Sequence, residues 1–74
     1  MFEVRAVDED LIERCKFESD ALLVAAKDVF ENQVAVFVYA VDTEPRQLVW
    51  SIAPTWAVTR DGKPGTTISV TKGA

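Results

Sequence analysis

Phe2, Val4 and Ala6 alternate with Glu3 and Arg5, which predicts a half-buried strand over residues 2–7 that the acidic cluster Asp8-Glu9-Asp10 closes. The next segment carries a mixed pattern. Leu11, Ile12 and Cys15 suit a helical turn, whereas Cys15 and Phe17 set against Arg14 and Lys16 suit a second strand, and the strand is the reading adopted for 12–17. Ser19 as N-cap, Asp20 in the first turn, and Leu22, Leu23, Ala26, Val29 and Phe30 at helical spacing predict a helix of about 12 residues with those apolar side chains inward. Asn32 marks its stop. A helix of that length needs packing on its apolar side to be stable.

The segment Val34-Ala35-Val36-Phe37-Val38-Tyr39-Ala40-Val41 is apolar throughout, with no polar alternation. In an extended chain Val34, Val36, Val38 and Ala40 point to one side, and Ala35, Phe37, Tyr39 and Val41 to the other. A strand of this kind wants both faces covered, and a short chain with one helix covers one. Three outcomes stay open: the sheet curls into a small barrel or sandwich, the second face meets another copy of the chain, or it meets a different protein. Asp42-Thr43-Glu44-Pro45-Arg46 reads as a reversal into a strand over 47–53, where Leu48, Trp50 and Ile52 oppose Val49 and Ser51. Pro54 and Thr55 are expected to break that strand. Another starts at 56–59, residues 60–65 turn, 66–71 return, and 72–74 read as a frayed end.

This order of elements predicts an α+β fold of one domain over residues 1–74, with a single antiparallel β-sheet of four to six strands and one α-helix packed on one face. The uncovered face of such a sheet normally meets water and reads polar. Here Phe37, Tyr39, Val41 and Val49 are expected to gather on it, opposite Val36, Val38, Trp50 and Ile52. Trp56, just past the Pro54 bend, is placed with them as a candidate contact residue, because tryptophan is enriched at binding hot spots.

Composition narrows the function. Seventy-four residues make a modest core, and 49% apolar with 27% charged side chains is ordinary for a folded domain. A net charge of −4 disfavours direct nucleic-acid binding, and the acidity is N-terminal: residues 1–31 hold nine acids against four bases. Asp8, Glu9, Asp10 and Glu13 therefore form a candidate acidic patch, able to mimic nucleic acid or to steer the chain to a basic partner. Their spacing lacks the glycine turn and late glutamate of a calcium loop, so no metal is expected. A lone Cys15 favours a reducing compartment, and with neither a basic-apolar leader nor a spanning run the expected location is cytoplasmic. With no histidine, and no partner to activate Cys15, no catalytic residue and no cofactor are assigned. Gly62-Lys63-Pro64-Gly65 reads as a turn, since it lacks the glycine spacing of a phosphate loop.

Ser19-Asp20-Ala21-Leu22-Leu23-Val24-Ala25-Ala26-Lys27, followed by Val36-Phe37-Val38, Gln47-Leu48-Val49-Trp50 and Asp61-Gly62, resembles small phage or mobile-element proteins with an alanine-rich helix before a sheet meander. Some anti-CRISPR proteins share that outline, which spans residues 17–63. The resemblance transfers no functional residue and implies a non-enzymatic protein that blocks a host complex by occupying its surface. The apolar central strand departs from the outline and points to self-association. The sequence thus supports a non-enzymatic protein-interaction domain acting through an apolar sheet face, as a homodimer or with another protein. An acidic phage-type inhibitor, and a small-ligand domain with its pocket near Trp50, are the alternatives.

Overall fold

The alternating N-terminal segment forms β1 (Phe2–Ala6), which pairs antiparallel with β2 (Leu11–Cys15) across the acidic turn. The computed structural model describes residues 1–58, 61, 62 and 64–73. After β2 comes α1 (Glu18–Asn32), then β3 (Val36–Ala40), β4 (Gln47–Val58) and β5 (Pro64–Lys72). One antiparallel five-stranded sheet results, in the order β2-β1-β3-β4-β5, with the helix packed against it. This is the α+β architecture expected from the order of elements. Arg60 and Lys63 of the expected 60–65 turn, together with Thr59 and Ala74, lie outside the described residues.

The registers sort the side chains onto two faces. Val4 sits opposite Val38, Val38 opposite Trp50, and Val36 opposite Ile52, and directly opposed residues share a face. Those side chains meet α1, so Val4, Val36, Val38 and Ile52 have at most 1% of their surface exposed and form the core with Cys15, Ala21, Ala25 and Val29. Trp50 packs at the edge of this cluster, and its indole N–H donates to Glu18 Oε1, tying the start of α1 to β4.

Three features differ from the expectation: the start and the buried stripe of α1, and the course of β4 through Pro54. The helix begins at Glu18 with Phe17 as its N-cap and no side-chain cap, so Ser19 lies inside the first turn. Glu18 and Asp20 place negative charge at the positive end of the helix dipole. More consequentially, the buried stripe of α1 is Ala21-Ala25-Val29, one turn apart each time, while Leu23 is 71% and Phe30 61% exposed. Alanine at two of these three positions lets the helix lie close to a sheet face already filled by valine and isoleucine. The helix ends as expected at Asn32, with Gln33 left-handed and its N–H donating to the Val29 carbonyl.

Pro54 does not break β4, which runs twelve residues without interruption. β3 starts only at Val36, opposite Ile52, so Pro54 stands where one edge of β4 is free and a missing N–H costs no ladder bond there. Beyond Ile52, β4 and β5 pair only with each other, and they leave the sheet as a two-stranded arm that lengthens the molecule to 47 Å. At the other end of β5 the chain is anchored. The Gly73 N–H donates to the Val49 carbonyl at 2.6 Å, and a Cβ at Gly73 would lie 2.1 Å from the Leu48 carbonyl oxygen, so only glycine allows this approach.

Candidate interaction surface

On the open face of the sheet, away from the helix, Phe37 and Tyr39 stand side by side on β3, with Leu48 opposite Tyr39 and Ser51 opposite Phe37. A register shift between Val38 and Tyr39 inserts Val49 as an extra residue of β4 at this point. Val41 lies past the end of β3, half-buried, its N–H donating to the Met1 carbonyl. The expected aromatic pair therefore exists, but it does not present a bare apolar face. Arg5 is opposite Phe37, Glu3 is opposite Tyr39, and the Arg46 guanidinium stacks on the Tyr39 ring at 4.2 Å. Towards β5 the face becomes small and hydroxylated, with Thr55 and Thr67 hydrogen-bonded across the ladder.

Glu3 is the electrostatic centre of this face. It is 7% exposed, and its carboxylate accepts from Arg5 Nε at 3.0 Å and from Arg14 Nε at 2.9 Å. The Arg5 hydrogen bond is the main cause holding the carboxyl below its usual range, with Arg14 adding to it against the opposing effect of burial. Glu3→Gln is expected to cost about 1–2 kcal/mol at pH 7, a modest figure because the Arg14 side chain is largely open to water. A carboxyl depressed in the folded state stabilises fully above its unfolded value of about 4.3, and loses that contribution as pH falls through the folded value. The stability gap between wild type and Glu3→Gln, measured by urea melts, should therefore shrink as pH drops below that range. A gap that is flat with pH would show that the ion pairs are not its source.

The candidate acids do not form one patch. Asp8, Glu9 and Asp10 build the β1–β2 turn: Asp8 Oδ1 accepts from the Asp10 N–H, and Glu9 has φ 71°. Glu9 is also engaged with two arginines, its carbonyl accepting from Arg5 and its carboxylate pairing with Arg46. Glu13 points to the helix side, where it accepts a 3.6 Å contact from the Cys15 thiol. Burial, reinforced by Glu13, pushes that thiol up from its ordinary pKa, which makes it a poor nucleophile.

Exposed apolar side chains gather on the helix-bearing side. Leu23, Ala26 and Phe30 form the flank of α1 that faces β5, and with Ile68 they line an open groove of about 480 Å³, rimmed by Lys27 and Glu31. Val70 continues this floor on β5, 49% exposed, because it is opposite Ile52 and so lies on the helix side. Trp56 and Val58, each 76% exposed, carry the same face outward along the arm. Trp56 is thus on the opposite face from Phe37 and Tyr39, since it lies two and four residues from Pro54 and Ile52 on β4 and shares their face. Trp50, near which a ligand pocket was expected, does not line this groove.

Leu23, Phe30, Ile68, Val58 and Val70 were not expected as surface residues. A signal for one of them, Leu23, was present: residues 21–26 are apolar without a break and so encircle the helix, which leaves some of them outward whichever face packs. Among the described residues no group of three or more acids and cysteines is placed to hold a metal ion, and no helix is long and apolar enough to cross a membrane. No family model, curated protein or solved structure matches the chain, which leaves this surface chemistry as the guide to function.

Proposed function

We propose that the chain is a non-enzymatic protein-interaction domain, and that it binds through the part of its helix-bearing sheet face that α1 leaves uncovered. One observation carries this reading: the exposed Leu23, Phe30, Val70, Trp56 and Val58, with the half-buried Ile68 among them, form a run of apolar side chains along one side of the molecule. Single exposed apolar residues are ordinary, whereas a contiguous patch rimmed by charge marks a contact surface. Two aromatic residues within it, Phe30 and Trp56, supply the anchors on which binding energy concentrates.

The open face with Phe37 and Tyr39 serves this role less well, because Arg46 stacks on Tyr39 and the Glu3–Arg5–Arg14 ion pairs stand beside it. The acidic turn serves it less well too, because Glu9 is neutralised where it stands. A Phe30→Asp, Trp56→Ser double variant alters two exposed side chains and should keep the fold, as judged by circular dichroism. As bait in a cell lysate it should fail to retain proteins, further copies of the chain included, that the wild type retains at matched concentration. Identical retention by a folded variant would remove this surface from the proposal.

A further inference from the structure

We infer that the partner at this surface is a second copy of the chain, added edge to edge along β5 to make one ten-stranded sheet. The inference rests on the interaction reading above and names its occupant.

β5 is an outer strand of the sheet, and its ladder to β4 runs through all nine residues without a register shift. Natural edge strands are guarded by bulges, inward charges, prolines or short length. From Gly65 to Thr71 this edge has neither a charge nor a proline, and it is the longer of the two outer strands. Its outward N–H and C=O groups form an unguarded template for another strand.

The side-chain pattern makes that strand self-complementary. An antiparallel pair of β5 strands about a two-fold axis through the midpoint, Ile68, sets Ile68 against Ile68 of the second copy and Val70 against Thr66. Thr67 meets Ser69 on the other face, a hydroxyl pair of the kind that stabilises sheets. This register keeps both helices on the same side, because the paired positions have the same parity. Like charges are not forced together: Lys72 lies at the strand's far end, and each groove rim carries Lys27 with Glu31. The second copy's β5 would run about 4.8 Å outside the first, so its Ile68 extends the floor beside Leu23 and Phe30. Each copy thereby closes the other's groove. An isologous contact of this form ends at two copies, the commonest closed assembly.

The test is solution mass by light scattering over a dilution series, together with amide hydrogen exchange of β5 at low and high concentration. A dimer is expected, with protection gained at 65–71 on association. Val70→Lys, which changes a half-exposed side chain, should weaken the dimer at least tenfold with its circular dichroism unchanged. If Val70→Lys fails to fold, the exchange of wild-type β5 decides alone: concentration-dependent protection there supports the edge contact, and its absence overturns it. A monomer at every concentration overturns the inference, as does a dimer that survives Val70→Lys but is lost in Phe37→Ser, Tyr39→Ser. A monomer that still loses retained proteins on Phe30→Asp, Trp56→Ser substitution would refute the second copy while sustaining the interaction reading with a different, heterologous partner.

Discussion

Ile52→Ala should remove about 3–4 kcal/mol of stability, the cost of deleting a fully buried branched side chain and leaving a cavity. A chain of this length holds on the order of 4–11 kcal/mol in total, so the substitution removes from about a third to nearly all of it. The effect is large because of where Ile52 stands. It is opposite Val36 on one side and Val70 on the other, so it lies under the helix at the last point where β3, β4 and β5 run together. Beyond it the arm has no third strand to fill a void. Equilibrium urea denaturation should show a midpoint shift with little change in slope. A loss below about 1 kcal/mol would mean that α1 or the arm collapses into the space, and that the core is looser than its burial implies.

What the sequence revealed and what it hid divide along the same physical line. Period-two alternation identified β1, and the apolar run identified the strand that becomes β3, because these patterns depend on the strand's own geometry. Which residues share a face of β3 and β4 also followed, since Val36 and Val38 lie on one side with Trp50 and Ile52 in the antiparallel register of that parity. The burial of α1 did not follow. Its apolar residues exceed what one stripe can hold, and the choice between Leu23-Phe30 and Ala21-Ala25 is made by how close the helix must come to the sheet, a tertiary quantity. The neutral reading of Pro54 was hidden for a similar reason, because a proline breaks a central strand but not the free edge left beyond the start of β3. The open face looked bare in sequence because its cover comes from far along the chain. Arg5, Arg14 and Arg46 reach it from three different segments, and only Arg5 belongs to a strand directly beside β3.

The same choice of helix face sets the sharpest contrast between two neighbouring positions. Ala25→Leu is expected to destabilise the domain by about 1–3 kcal/mol, whereas Leu23→Ser should change stability by less than about 0.5 kcal/mol. Ala25 is fully buried between the flanks of the core, so three added carbons must push α1 off the sheet or twist neighbouring side chains out of their rotamers. Leu23 faces the groove, and serine there forfeits little contact within the chain. Thermal and urea melts of the two variants check the pair directly. The reverse order, a tolerated Ala25→Leu and a costly Leu23→Ser, would turn the helix by a quarter circle or more, bury Leu23 and Phe30, and dissolve the groove on which the interaction surface is built. The order expected here leaves Leu23 free of any structural duty, so a loss of association in Leu23→Ser at unchanged stability would assign its apolar surface to the partner.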